Sequence, residues 1–183
     1  ESKVIWSDRW QENWDNLITI KLNLSDGLLK ALDTKSKLEK KVETTNTEAY
    51  EYYLRGKHKY EKRENIDDAE IARGLLQKAV ALDDNLLAAK TILGRTYSES
   101  GDYDKAMDIF KLNLEQAKEV DDRNGEGVSI ANIGNIYQEK GDFDNALIYF
   151  SQSLNIQDEL GDKCGMGLVL INIGLTYWFK GDH

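Results

Sequence analysis

Residues 103–120, YDKAMDIFKLNLEQAKEV, place Ala106, Ile109, Phe110 and Leu114 at i, i+3, i+4 and i+8. That spacing collects apolar side chains on one face of an α-helix. Residues 143–160, FDNALIYFSQSLNIQDEL, repeat it with Ala146, Tyr149, Phe150 and Leu154. Gly-Asp precedes each stretch, and another helical run precedes each Gly-Asp. The pattern predicts a helical hairpin, with a first helix over about 127–140, a turn at Gly141-Asp142 and a second helix over about 143–160. Gly141 can take the positive φ that ends a helix. Asp142 stands where a carboxylate caps the next one.

The hairpin recurs. LGRTYSESGDYDKA (93–106), IGNIYQEKGDFDNA (133–146) and IGLTYWFKGDH (173–183) are offset by 40 residues both times. Gly94, Gly134 and Gly174 align, as do Tyr97, Tyr137 and Tyr177, Asn132 and Asn172, and three Gly-Asp turns. A fixed period of this size marks a stacked array of helical units. A more degenerate unit comes earlier, with Gly56 in AYEYYLRGKHKY (49–60) and Ala72, Leu76, Ala79 and Leu82 as the stripe of the following helix. The expected organisation is an extension at 1–47, hairpins near 48–84, 87–124 and 127–164, and a lone first helix at 167–180. DDRNGEG and GDKCGMG, with Cys164, read as loops between hairpins. Gly134 sits inside a helix, where glycine costs roughly 1 kcal/mol relative to alanine. The expected reason is close packing against Ala146 where the helices cross.

Composition narrows the function. The 183 residues are 40% hydrophobic and 31% charged, with no proline and a net charge of −9. An acidic chain without a clustered basic face is a poor match for nucleic acid. No apolar run approaches the ~20 residues of a membrane-spanning helix. The sequence starts at Glu1 rather than methionine, so it reads as part of a longer protein and a missing targeting signal carries little weight. A cytoplasmic location is expected, or a periplasmic one behind an upstream transmembrane helix. A single cysteine provides neither a disulfide framework nor a cysteine zinc site. His58 and His183 are far apart, no glycine-rich phosphate loop follows a strand, and the acidic turns lack the EF-hand pattern. No catalysis, cofactor or metal is expected of these residues.

The motif resembles the tetratricopeptide repeat. Its order of leucine-glycine, tyrosine, glycine, aromatic, alanine, aromatic is met by Leu93-Gly94, Tyr97, Gly101, Tyr103, Ala106 and Phe110. Ile133-Gly134, Tyr137, Gly141, Phe143, Ala146 and Phe150 meet it again. The family's proline after the second helix is absent, and the 40-residue period is similar to the subclass in kinesin light chains and bacterial regulators. The resemblance implies an all-α, right-handed superhelical array whose concave face is lined by first helices and holds a protein or peptide partner. Carried over by position, the groove residues are Tyr50, Tyr53 and Lys57, then Thr91, Arg95, Ser98 and Glu99, then Asn132, Asn135, Gln138 and Glu139, then Asn172, Trp178 and Phe179. Asn132 and Asn172 stand out, because an amide both donates to and accepts from an extended backbone; the alternative is that they brace neighbouring helices.

Residues 1–47 are more loosely similar to the strand and helix that link a TolB-like domain to such repeats in bacterial signalling proteins, many with a class III nucleotide cyclase upstream. A strand end at Val4-Ile5-Trp6 and a helix from about 16 to 32 are expected there. That resemblance implies a scaffold or sensor arm, or an arm that dimerises an upstream cyclase. Trp10 and Trp14 share a helical face, and Leu168, Ile171, Tyr177, Trp178 and Phe179 follow the last Gly-bearing motif with no second helix to cover them. Both groups are candidates for self-association as a homodimer.

Overall fold

The computed structural model describes residues 46–181. They form seven helices: α1 (Thr47–Glu61), α2 (Ile66–Leu82), α3 (Leu87–Glu99), α4 (Tyr103–Glu119), α5 (Arg123–Glu139), α6 (Phe143–Leu160) and α7 (Lys163–Lys180). There is no strand among the described residues. The strand at Val4-Ile5-Trp6, the helix at 16–32, Trp10, Trp14 and His183 lie outside them.

One cap chemistry recurs along the chain. Asp102, Asp122, Asp142 and Asp162 each accept a backbone N–H from the first turn of the helix that follows. Asn46 and Asn65 do the same for α1 and α2. Each satisfies a donor that the helix cannot. Gly141, at φ +76°, closes α5, and the Asp142 N–H donates to the Tyr137 carbonyl at 2.9 Å. At the end of α4 the left-handed position held elsewhere by glycine is filled by Asp121, at φ +56°. Aspartate tolerates that region better than most residues.

The expected loops are helix. α5 begins at Arg123 and α7 at Lys163, four residues earlier than the sequence pattern placed them, so Cys164 is an exposed residue of a helical first turn. Clustered glycines suggested loops, but Gly127 sits in close packing inside α5. A Cβ there would lie 2.7 Å from Gln157 Nε2 and 3.0 Å from Ile156 Cγ2. Longer helices, not longer loops, therefore carry the 40-residue period.

Each second helix packs on its own first helix and on the first helix of the next unit, so α2, α4 and α6 are sandwiched in turn. Leu76, Ala79, Leu86 and Leu93 build the core around α1–α3, Ala106, Phe110, Ile133 and Ile136 the next, and Ala146, Phe150 and Val169 the last. The interior glycines answer to the aromatic residues rather than to alanine. A Cβ on Gly134 would sit 2.8 Å from Phe150 Cδ1, and one on Gly94 would meet the Phe110 ring. Gly56 is held the same way by Leu76, at 2.8 Å. The atoms nearest to a Cβ on Gly134 belong to Phe150 rather than to the expected Ala146, because a ring needs the depth that a missing Cβ leaves; fully buried Ala146 clusters with Phe150 and Val169.

The two glycines therefore separate packing from propensity. Gly134→Leu should lower stability by at least about 1–3 kcal/mol through overpacking. Gly174→Leu, where a Cβ meets nothing within 4 Å, should raise it by several tenths of a kcal/mol through helix propensity. Thermal denaturation of both variants checks this; equal shifts would contradict it.

Candidate functional site

Successive first helices meet along one edge, with a polar rung at each meeting. Between α1 and α3, the Tyr60 hydroxyl donates to Glu99 Oε1 at 2.5 Å and Arg63 Nη2 donates to the same oxygen at 2.8 Å. Between α3 and α5, Arg95 Nε donates to Asn132 Oδ1 at 3.3 Å. Between α5 and α7, Asn172 Nδ2 donates to Asn135 Oδ1 at 3.1 Å. These rungs fix an inner wall made of α1, α3, α5 and α7.

Beside the rungs each first helix presents positions spaced i, i+4, i+7, i+8. They are Tyr53, Lys57, Tyr60 and Glu61 on α1, and Thr91, Arg95, Ser98 and Glu99 on α3. On α5 they are Ala131, Asn135, Gln138 and Glu139, and on α7 Ile171, Leu175, Trp178 and Phe179. The chemistry changes along the wall, from charge and hydroxyl, through amides, to an apolar end. Leu168, Ile171 and Trp178 are 62%, 60% and 61% exposed.

The wall does not treat the expected residues alike. Tyr50 and Tyr53 are buried, in the core with Leu76 and Ala79. Asn132 is 3% exposed, set in the α3–α5 junction. Half-buried Thr91 donates to the Leu87 carbonyl at 3.0 Å and accepts from Asn113 Nδ2 at 2.9 Å, so it braces the wall. Arg95 and Glu139 are exposed, and Lys57, Ser98, Asn135, Gln138 and Asn172 are half-buried on its surface. Asn132 Nδ2 and Gln138 Nε2 are buried without a hydrogen-bond partner, two donors at the amide-rich stretch. Native structures leave few such groups unsatisfied.

Sequence reasoning passed over Tyr60, Ala131 and Leu175. Leu175 was within reach, since it falls 40 residues after Asn135 and 80 after Arg95. Tyr60 was hidden because Gly56 precedes Gly94 by 38 residues, so a strict 40-residue offset misses it. Burial, and then the hydrogen bond to Glu99, push the Tyr60 hydroxyl up to about 12. Arg63 stacks over its ring at 4.0 Å.

Other charged groups hold the array together. Lys90, 2% exposed, lies 2.7 Å from Asp84 and donates to Gln116 at 2.6 Å. The hydrogen bond from Lys90 to Asp84 holds the Asp84 carboxyl below the usual carboxylate range. An open groove of about 370 Å³ between α1 and α2 is lined by Leu54, Arg55, His58, Lys59, Ile71 and Leu75. Two of its cations are already engaged, Arg55 with Glu51 at 3.4 Å and Lys59 with Asp68 at 2.5 Å. Among the described residues no group of three or more His, Cys, Asp or Glu is placed to hold a metal ion. No helix among them is long and apolar enough to cross a membrane.

The family model described as Tetratricopeptide repeat matches residues 85–159 and 128–183, together more than half of the chain. The chain belongs to the tetratricopeptide-repeat family. Among solved structures it is similar to the crystal structure of the apo form of RapI, with a TM-score of 0.53 and 18% identity. That match covers 91% of this chain and 59% of the RapI chain, and it is a likeness of fold. This chain thus spans about 59% of the length of that relative. No curated protein matches it. The fold is the all-α superhelical array that the resemblance implies, an architecture that serves in this family as a protein-interaction scaffold.

The Tyr60–Glu99 rung has a measurable sign. Folding holds the hydroxyl protonated to about 12, whereas an unfolded tyrosine ionises near ~10. The rung's stabilisation is therefore intact below ~10 and lost as pH rises toward about 12. Tyr60→Phe should show a smaller loss of stability over that alkaline window than the parent chain, measured by urea denaturation at stepped pH. Parallel losses would refute the assignment.

Proposed function

We propose that the inner wall holds a segment of a partner protein and that this chain is a non-catalytic regulatory scaffold of a bacterial signalling protein. The observation that carries the reading is the graded chemistry of the wall. Asn135 and Gln138 offer amides that suit the backbone of an extended or helical segment whatever its side chains. Ile171, Leu175 and Trp178 then offer an apolar end where one or two bulky side chains of the segment anchor. Arg95, Glu99 and Lys57 set the polarity of the other end. Residues 48–183 are the interaction array and residues 1–47 the tail of an upstream unit in this reading. No cofactor, nucleic acid or membrane insertion enters it.

A second reading makes the chain an oligomerisation arm, with no peptide ligand, that controls an upstream class III nucleotide cyclase or another effector. The apolar surface of α7, with Leu168, Ile171, Trp178 and Phe179, favours it as a homodimer contact. The family match runs over 85–183 and leaves out the segment that carries the cyclase resemblance.

Selection of a random-peptide display library on the full chain separates the two. Recovered peptides should share a bulky apolar residue and should bind Trp178→Ala at least tenfold more weakly, as expected for an aromatic hot spot. Asn135→Ala and Gln138→Ala should weaken them several-fold. Peptides indifferent to all three variants would refute the groove. A dimer by light scattering that Trp178→Ala dissociates would favour the arm.

A further inference from the structure

One cation of the inner wall is left without an anion, and the cause stands next to it. Glu99 follows Arg95 by one turn of α3, the spacing at which an acid and a base on one helix ordinarily pair. Here α1 claims the carboxylate instead, because the Tyr60 hydroxyl and Arg63 Nη2 both donate to Glu99 Oε1. Arg95 keeps a bond from Nε to Asn132 Oδ1 at 3.3 Å. Asn132 is 3% exposed, so its amide is an anchor fixed in the α3–α5 junction. Arg95 itself is exposed, and among the described residues no carboxylate pairs with it. Its charge acts on the Tyr60 hydroxyl, so it lies beside the Tyr60–Glu99 rung.

We infer that Arg95 reads an aspartate or glutamate side chain of the partner segment, and that Tyr60 and Arg63 keep this place open by withholding Glu99. The inference rests on the reading of the inner wall as a segment-binding surface. A guanidinium presents its N–H donors in a rigid fork. The Nε donor is spent on Asn132, which holds the group in place, and the outer edge remains for a carboxylate, whose shape the fork matches. Holding the fork in advance lowers the entropy lost on binding. A single fork balances a single negative charge. A phosphate would need a second cation, and the other two at that end are engaged, Arg63 by Glu99 at 2.8 Å and Lys57 by Glu61 at 3.9 Å. Arg95 and Asn135 hold the same repeat position on neighbouring first helices. Packed helices lie about 10 Å apart and an extended segment advances about 3.3 Å per residue, so the acidic residue falls about three residues from the backbone over Asn135.

The test selects a random-peptide display library in parallel on the full chain and on its Arg95→Glu variant. The peptides are fused at their C-termini, so that only side chains supply carboxylates. Peptides selected on the parent chain should share an aspartate or glutamate at a fixed position and bind Arg95→Glu at least about tenfold more weakly. Peptides selected on Arg95→Glu should carry lysine or arginine at that position, an exchange that mere damage to the wall does not produce. Arg63→Ala should weaken the parent peptides several-fold by releasing Glu99, and Glu99→Gln added to it should restore them. Failure of that rescue would overturn the part given to Tyr60 and Arg63. Peptides that Asn135→Ala weakens, but that share no acidic position or ignore Arg95→Glu, would overturn the inference and leave the groove reading standing. Peptides indifferent to Asn135→Ala as well, or an empty selection, would overturn both.

Discussion

The array depends on one steric trade, a side chain of the second helix seated in the space of a missing Cβ on the first. Phe150 on Gly134, Phe110 on the same position of α3 and Leu76 on Gly56 are versions of it. Each ring or branched chain is then shared with the next unit through the sandwiched second helix. A ring held at that depth sets both the distance between two helices and the angle at which the next pair stacks. The inner wall follows from this spacing. First helices approach closely enough for side chains 36–39 residues apart to bond, as Arg63 and Tyr60 do with Glu99 and Arg95 with Asn132.

Charge plays a smaller, repeated part. Lys140 pairs with Asp104 at 2.8 Å, and Lys180 with Asp144 at 3.1 Å, the same tie one unit later. The acids of both pairs are 93% and 81% exposed, so each contributes little in water. Their regularity reports the geometry that glycine and ring impose rather than creating it. The polar rungs of the inner wall are better shielded and order its surface.

Much of this was legible in the residues. The 40-residue spacing of Gly94, Gly134 and Gly174, the Gly-Asp turns and the i, i+3, i+4 stripes define hairpins, their order and their turns. The partners inside a hairpin were less legible, because Ala146 and Phe150 lie on one stripe and sequence alone does not say which of them fills the space above Gly134. Glycines at 125, 127, 165 and 167 misled in the other direction. They read as loop, yet α5 and α7 run through them, since a capping aspartate starts each helix and close packing explains Gly127. At the candidate site, repeat position marked which residues face inward but not their depth. Asn132 and Asn135 are three residues apart on one helix, yet the first is sealed in the α3–α5 junction and the second lies on the wall. Only the approach of the neighbouring helix decides that.

The change of character at α7 links the fold to its proposed use. The positions that are amide on α5 turn apolar on α7. One helix thus offers an apolar end to the inner wall, while the rest of the array supplies rigidity. That rigidity rests on the ring-on-glycine contact, which a double-mutant cycle measures most directly. Gly134→Ala, Phe150→Leu and the double variant would be compared by urea denaturation. The account predicts that Phe150→Leu relieves the clash, so that the double variant loses at least about 1 kcal/mol less than the sum of the singles. Additive losses would show that Gly134 and Phe150 act independently and would contradict it.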